Sequence, residues 1–140
     1  MKRTWTLPWP TETSNHMYKV GRGHVHIEPS ALAYKVKVGN LVRSRLEEGP
    51  VPPKAKMLTI YFEQFPPPGW HGDWDGSVKL VQDALFAGLR MNDYWVATAH
   101  VYRHAPAATV EEAFVEVTLE WADPPKKGGR ACRGSSAIRN

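Results

Sequence analysis

Cysteine is almost missing from this chain: Cys132 stands alone among 140 residues. A single thiol can build neither an intrachain disulfide nor a cysteine-based zinc cage. Long apolar runs are missing as well, and none approaches the roughly 20 residues that span a bilayer. The opening MKRTWTLPWP carries two basic residues but no apolar segment of the signal-peptide kind. The chain is therefore expected in the cytoplasm, away from membranes. Internal repeats are absent. Hydrophobic residues make up 42%, which at this length is enough for one core.

Acids are scarce in the first part and bases in the middle. Residues 1–57 carry ten Lys/Arg against four acids, residues 58–122 carry three against nine, and residues 123–140 carry five against one. A basic first half and an acidic centre suit a protein that grips phosphates with one part and holds a metal with another. Two oppositely charged halves that fold against each other would give the same tally.

The acidic centre is concentrated in DWDGSVKLVQDALFAGLRMND, from Asp73 to Asp93. Val78, Val81 and Leu85, widened by Leu80 and Ala84, predict a helix from about Ser77 to Ala87, with Gly88 as its stop. Asp75, Lys79 and Asp83 are spaced i, i+4, i+8 and form one stripe. An extended backbone before the helix would point Asp73 the same way as Asp75. Two carboxylates, a lysine one turn on and a later third carboxylate can hold a hard divalent cation against a phosphate. The bland alternative is a set of surface i, i+4 pairs, each worth about 0.3–0.5 kcal/mol.

The same residues carry a family resemblance. Asp73, Asp75, Lys79, Asp83, Ala84, Leu85 and Asp93 resemble the D-x-D-x-x-x-K-x-x-x-D-A-L pattern and following acid of the RusA family of Holliday-junction resolvases. Leu7 to Pro10, then Thr13, Asn15 and Tyr18, are similar to that family's P-W-P, S-x-N-x-x-Y opening. The likeness runs from about Thr4 to Trp121. Four features depart from it. Gly76 stands for the usual Asn, and Asn92 for the first of an Asp-Asp pair. His71-Gly72 stands where arginines are usual, and two extra residues lie between Pro10 and Thr13.

In chain order, Thr4 to Pro8 reads as a strand and Thr11 to Gly23 as a polar loop holding Asn15, Tyr18, Lys19 and Arg22. His24 to Ile27 is extended. Pro29 to about Gly49 reads as a helix with Tyr34, Val38, Leu41 and Val42 on the buried face, Leu46 beside it, and Lys35, Lys37, Arg43 and Arg45 outward. Met57 to Phe65, Tyr94 to His104 and Glu112 to Trp121 read as strands, the last two as an antiparallel hairpin. The expected fold is an α+β domain over residues 1–122, a mixed sheet with two main helices on one face. Residues 123–140, polar, basic and glycine-rich, are expected to be a disordered tail.

The resemblance implies a magnesium-dependent endonuclease of DNA recombination and repair, a homodimer that resolves four-way-junction DNA by paired symmetric nicks. On that view Asp73, Asp75 and Asp93 bind Mg²⁺, Lys79 stabilises charge on the phosphate, and Asp83 orients Lys79 or a ligand water. No small-molecule cofactor is expected. Asn15, Tyr18, Lys19, Arg22, Lys35, Trp74, Lys126, Lys127 and Arg130 are the expected DNA contacts. Trp74, flanked by acids, is the best stacking candidate among Trp70, Trp74, Tyr94 and Trp95. The rival is a DNA-binding protein with a degraded site. A zinc site from His24, His26, His100 and His104 would need a long-range coincidence.

Overall fold

The computed structural model describes residues 1–10, 18–21, 24–27 and 29–123, with 18–21 and 24–27 described by their backbone only. The elements run β1 (Lys2–Pro8), β2 (Tyr18–Gly21), β3 (His24–Ile27), α1 (Pro29–Ser44), β4 (Leu58–Phe65), α2 (Val78–Leu89), β5 (Val96–Arg103) and β6 (Phe114–Glu120). Single 3₁₀ turns sit at Leu46–Glu48, Asp93–Trp95 and Val110–Glu112. The expected α+β architecture is present: a mixed four-stranded sheet, ordered β1-β6-β4-β5, with two helices.

Alternation explains which face is covered. Trp5 and Leu7 of β1, Leu58, Ile60 and Phe62 of β4, and Val115, Val117 and Leu119 of β6 all fall on one side of the pleat and are buried. They form one cluster with Ala31, Tyr34, Val38 and Val42 of α1 and Leu80, Val81, Ala84 and Leu85 of α2. Both helices therefore lie on the same face. Leu41, expected on the buried face, is only partly buried against it, as is Leu46 beside it.

The pairing of the last strands differs from expectation. β5 and β6 do not form a hairpin. β5 runs parallel to β4, with Ile60 opposite Ala99 and Phe62 opposite Val101, while β6 lies antiparallel between β1 and β4. β6, with every second residue buried, lies at the centre, whereas β5 is mostly exposed and sits at the edge. The parallel β4–β5 pair needs a crossover, and α2 is that crossover.

Three boundaries also shift. The expected loop Thr11 to Gly23 contains β2, paired antiparallel with β3. α1 ends at Ser44 rather than near Gly49, and Arg3 holds the chain that follows it, donating to the carbonyls of Leu46 at 2.9 Å and Pro50 at 3.2 Å as well as to Arg45. α2 does not stop at Gly88. It continues to Leu89 and ends on Arg90 in the left-handed region (φ 55°), with Arg90 N–H bonded to Ala87 O and Met91 N–H to Phe86 O. Of the expected tail only Asp123 is described, and its carboxylate pairs with the N-terminal amine at 2.6 Å. No described helix is long and apolar enough to cross a membrane.

Candidate active site

The carboxylates Asp73 and Asp75 sit on the turn that leads into α2. Gly76 N–H donates to Asp73 O at 3.0 Å and Val78 N–H to Asp75 O at 3.1 Å. Two such i→i+3 bonds tighten the backbone to about three residues per turn. The extended geometry expected for Asp73 is therefore absent, and residues two apart on a turn of this kind project in different directions. Ser77, at the helix start, is buried and does not cap the helix. Its hydroxyl donates instead to Gln64 Oε1 at 2.7 Å, and Gln64 Nε2 donates to the carbonyl of Trp74. Gln64 escaped sequence reasoning. The one signal for it was an amide at the buried parity of β4.

The approach to this turn is braced by aromatic packing. Trp70 stacks edge-on against Trp9 at 5.2 Å, and the Arg103 guanidinium lies 4.8 Å from a Trp70 ring centroid. Arg103 also reaches the carbonyls of Trp70 and Gly72 at 3.4 and 3.5 Å. A Cβ at position 72 would lie 2.2 Å from the Trp70 ring, so any other residue there would have to displace the ring. Arg103, from β5, thus places a cation beside His71-Gly72, where the resembled family tends to carry its own arginines.

On α2 itself the expected stripe is partly realised. Lys79 Nζ lies 2.9 Å from Asp83 Oδ1 and 4.0 Å from Asp93 Oδ2. Gln82 Nε2 donates to the same Asp93 oxygen at 2.9 Å. Asp93 opens the 3₁₀ turn after α2, and Asn92 caps that turn by accepting from Tyr94 N–H at 2.9 Å. Asn and Asp cap about equally well, so Asn92 preserves the local geometry an aspartate would give. Lys35 of α1 shares a shallow cleft of about 310 Å³ with Asp83, Asn92 and Asp93. A larger open groove, about 520 Å³, runs between the turn and the β5 edge, lined by Trp74, Asp75 and Val78 on one side and Ala99 to Tyr102 on the other. Trp74 is 59% exposed and Tyr94 74% exposed. Trp95 is partly buried against the core.

The three expected metal ligands are not brought together. Among the described residues no three His, Cys, Asp or Glu side chains converge to hold a metal ion. Asp93 is engaged by Gln82 and Lys79, whereas the Asp73 and Asp75 side chains make no hydrogen bond or ion pair among the described residues. His104 is bonded to Glu63 at 2.8 Å and stacked on Phe65, and His100 is stacked on Tyr61. Neither belongs to a zinc site among the described residues. The expected contacts Asn15, Arg22, Lys126, Lys127 and Arg130, with His16 and Cys132, lie outside the described residues, and Tyr18, Lys19, His24 and His26 are placed by backbone alone. Comparison of the chain with family models and with curated proteins finds no match.

Proposed function

We propose that the chain is a magnesium-dependent, structure-specific DNA endonuclease acting on four-way junctions as a homodimer. The observation that carries this reading is the pair Asp73 and Asp75. Two acids without a side-chain partner among the described residues sit on an ordered turn beside an exposed tryptophan, with Lys79 on the next helical turn. The motif resemblance supplies the reaction class. The donor set fits the ion: Mg²⁺ takes oxygen ligands and is commonly held by one or two carboxylates, with waters and substrate phosphates completing the shell. A bound Mg²⁺ would polarise the scissile phosphate and acidify a coordinated water.

The chain's own groups then divide the work. Asp73 and Asp75 present oxygens to the ion, and Asp93, held beside Lys79, joins them only if it gives up Gln82. Lys79 offsets charge that builds on the phosphate during attack, and Asp83 keeps its ammonium in place. Trp74 offers a ring for an unpaired base at the junction centre. Lys35, with the basic residues at 19, 22, 126, 127 and 130, supplies phosphate contacts. A four-way junction has two-fold symmetry, which a dimer matches.

The test is incubation of the full-length protein with synthetic four-way, duplex and single-stranded DNA, with and without Mg²⁺, beside Asp75→Asn. Paired nicks in the junction alone, lost in Asp75→Asn while junction affinity holds or rises, are expected. Retained nicking by Asp75→Asn would sink the metal assignment. A second reading, a junction-binding protein without catalysis, is favoured by the engagement of Asp93 and by Gly76. It predicts tight junction binding and no cleavage at any Mg²⁺ concentration.

A further inference from the structure

β4 buries Leu58, Ile60, Phe62 and, at the next inward position, Gln64, which is 1% exposed. An amide placed there loses its hydration and must find partners at both ends. It finds them on one short segment: the Trp74 carbonyl, between Asp73 and Asp75, accepts from Nε2, and the Ser77 hydroxyl, two residues after Asp75, donates to Oε1. The stem of Gln64 is fixed by the core, so its amide is a rigid post. The turn has two i→i+3 bonds of its own, and its carboxylates have no partner among the described residues to anchor them. Besides Arg103 on the approach at Gly72, the Gln64 amide beneath the turn is what ties it to the core.

We infer that Gln64 is a positioning residue: it pins the backbone on both sides of Asp75 and so fixes how Asp73 and Asp75 are presented to a cation. Its functional consequence rests on the metal reading above, whereas the pinning does not. Gln64→Met keeps length and packing but loses both bonds. Ser77→Ala is the milder companion, since it removes only one.

The experiment combines three measurements on the full-length protein. Amide hydrogen exchange at Gly76 and Val78 should quicken about five- to tenfold in Gln64→Met, as expected for losing net hydrogen bonds, with Leu85 in the middle of α2 unchanged. Mn²⁺ affinity without DNA, read by calorimetry, should weaken by a similar factor. The Mg²⁺ concentration giving half-maximal junction cleavage should rise, with most of the saturating rate recovered at high Mg²⁺. Ser77→Ala should show a smaller shift in the same direction. Unchanged exchange at Gly76 and Val78 in folded Gln64→Met overturns the inference. Exchange accelerated equally through α2 also overturns it, making Gln64 an ordinary packing residue. If the wild-type protein binds no Mn²⁺ and cuts no DNA, the nuclease reading falls, and the exchange data alone decide whether Gln64 pins the turn.

Discussion

Gly88 of α2 lies against Gly39 of α1 so closely that a Cβ at position 88 would come within 3.0 Å of the Gly39 Cα and carbonyl oxygen, and 2.8 Å from the Val42 Cβ. The contact sets the separation of the two helices, and α1 carries Lys35 towards Asp83 and Asp93. Gly88→Ala removes a helix-weakening glycine, a gain of about 1 kcal/mol. It also drives a methyl into backbone, where overpacking costs about 1–3 kcal/mol. The clash wins because a backbone cannot rotate away. Net destabilisation by urea unfolding is the expected result; a stabilised Gly88→Ala would show that the helices part freely.

Tyr34 ties α1 to the LPWP segment. Its hydroxyl donates to the Pro8 carbonyl at 2.7 Å, and burial pushes its pKa well above the usual tyrosine value. The raised pKa belongs to the folded state, so the neutral phenol is favoured there. Its contribution is complete below the unfolded pKa of about 10 and is lost as pH rises above that value. Tyr34→Phe should cost about 1 kcal/mol at pH 7, and the gap to wild type should narrow between pH 10 and 11. Tyr61 is also raised, chiefly by its hydrogen bond to Glu120, but lies at the sheet surface and should contribute little. Denaturant titrations across that pH range decide; a constant gap would mean Tyr34 titrates alike in both states.

How far the fold could be read from sequence depended on the range of the interaction. Ile60, Phe62, Val115 and Val117 showed their buried side through period two, and Val81 and Leu85 through the helical period. Those signals are local. The place of β6 between β1 and β4 is a long-range pairing, which periodicity along one strand does not encode. Gly88 looked like a helix stop because the local signal for a stop and for a close helix crossing is the same glycine. At the site, the D-x-D motif was legible and its turn was not. The conformation depends on Gln64, ten residues upstream of Trp74, whose bonds form only once β4 and α2 pack.

On the nuclease reading, Lys79 separates catalysis from stability. Its ion pair with Asp83 lies at the surface, the lysine side chain being 53% exposed, so breaking it should cost less than about 1 kcal/mol. Lys79→Ala should therefore fold normally. On the nuclease reading it should lower the single-turnover cleavage rate by roughly a hundredfold or more, in line with removal of one charge-stabilising donor, while junction affinity changes only a few-fold. Rapid-quench cleavage beside equilibrium binding measures both. A loss confined to affinity would make Lys79 an ordinary phosphate contact.

On the nuclease reading, Trp74 is the most specific handle on junction recognition. Its carbonyl is held by Gln64, while its side chain is largely exposed and faces the groove beside β5. Exposing a large indole between two carboxylates brings no stability, and nothing in the core uses it. On the nuclease reading a base-stacking role would account for the exposure, since stacking on an aromatic ring is worth about 1–3 kcal/mol per base. Continuous duplex offers no unstacked base, whereas the centre of a four-way junction does. Trp74→Ala should weaken junction binding by about tenfold and leave duplex binding unchanged, and 2-aminopurine placed at the junction centre should lose its quenching. If DNA lies at this turn, acid repulsion works against it, so Asp73→Asn should move affinity the opposite way at low salt. Equal losses on duplex and junction would assign Trp74 to the folding of the turn; no loss on either would leave the indole without a part in DNA recognition.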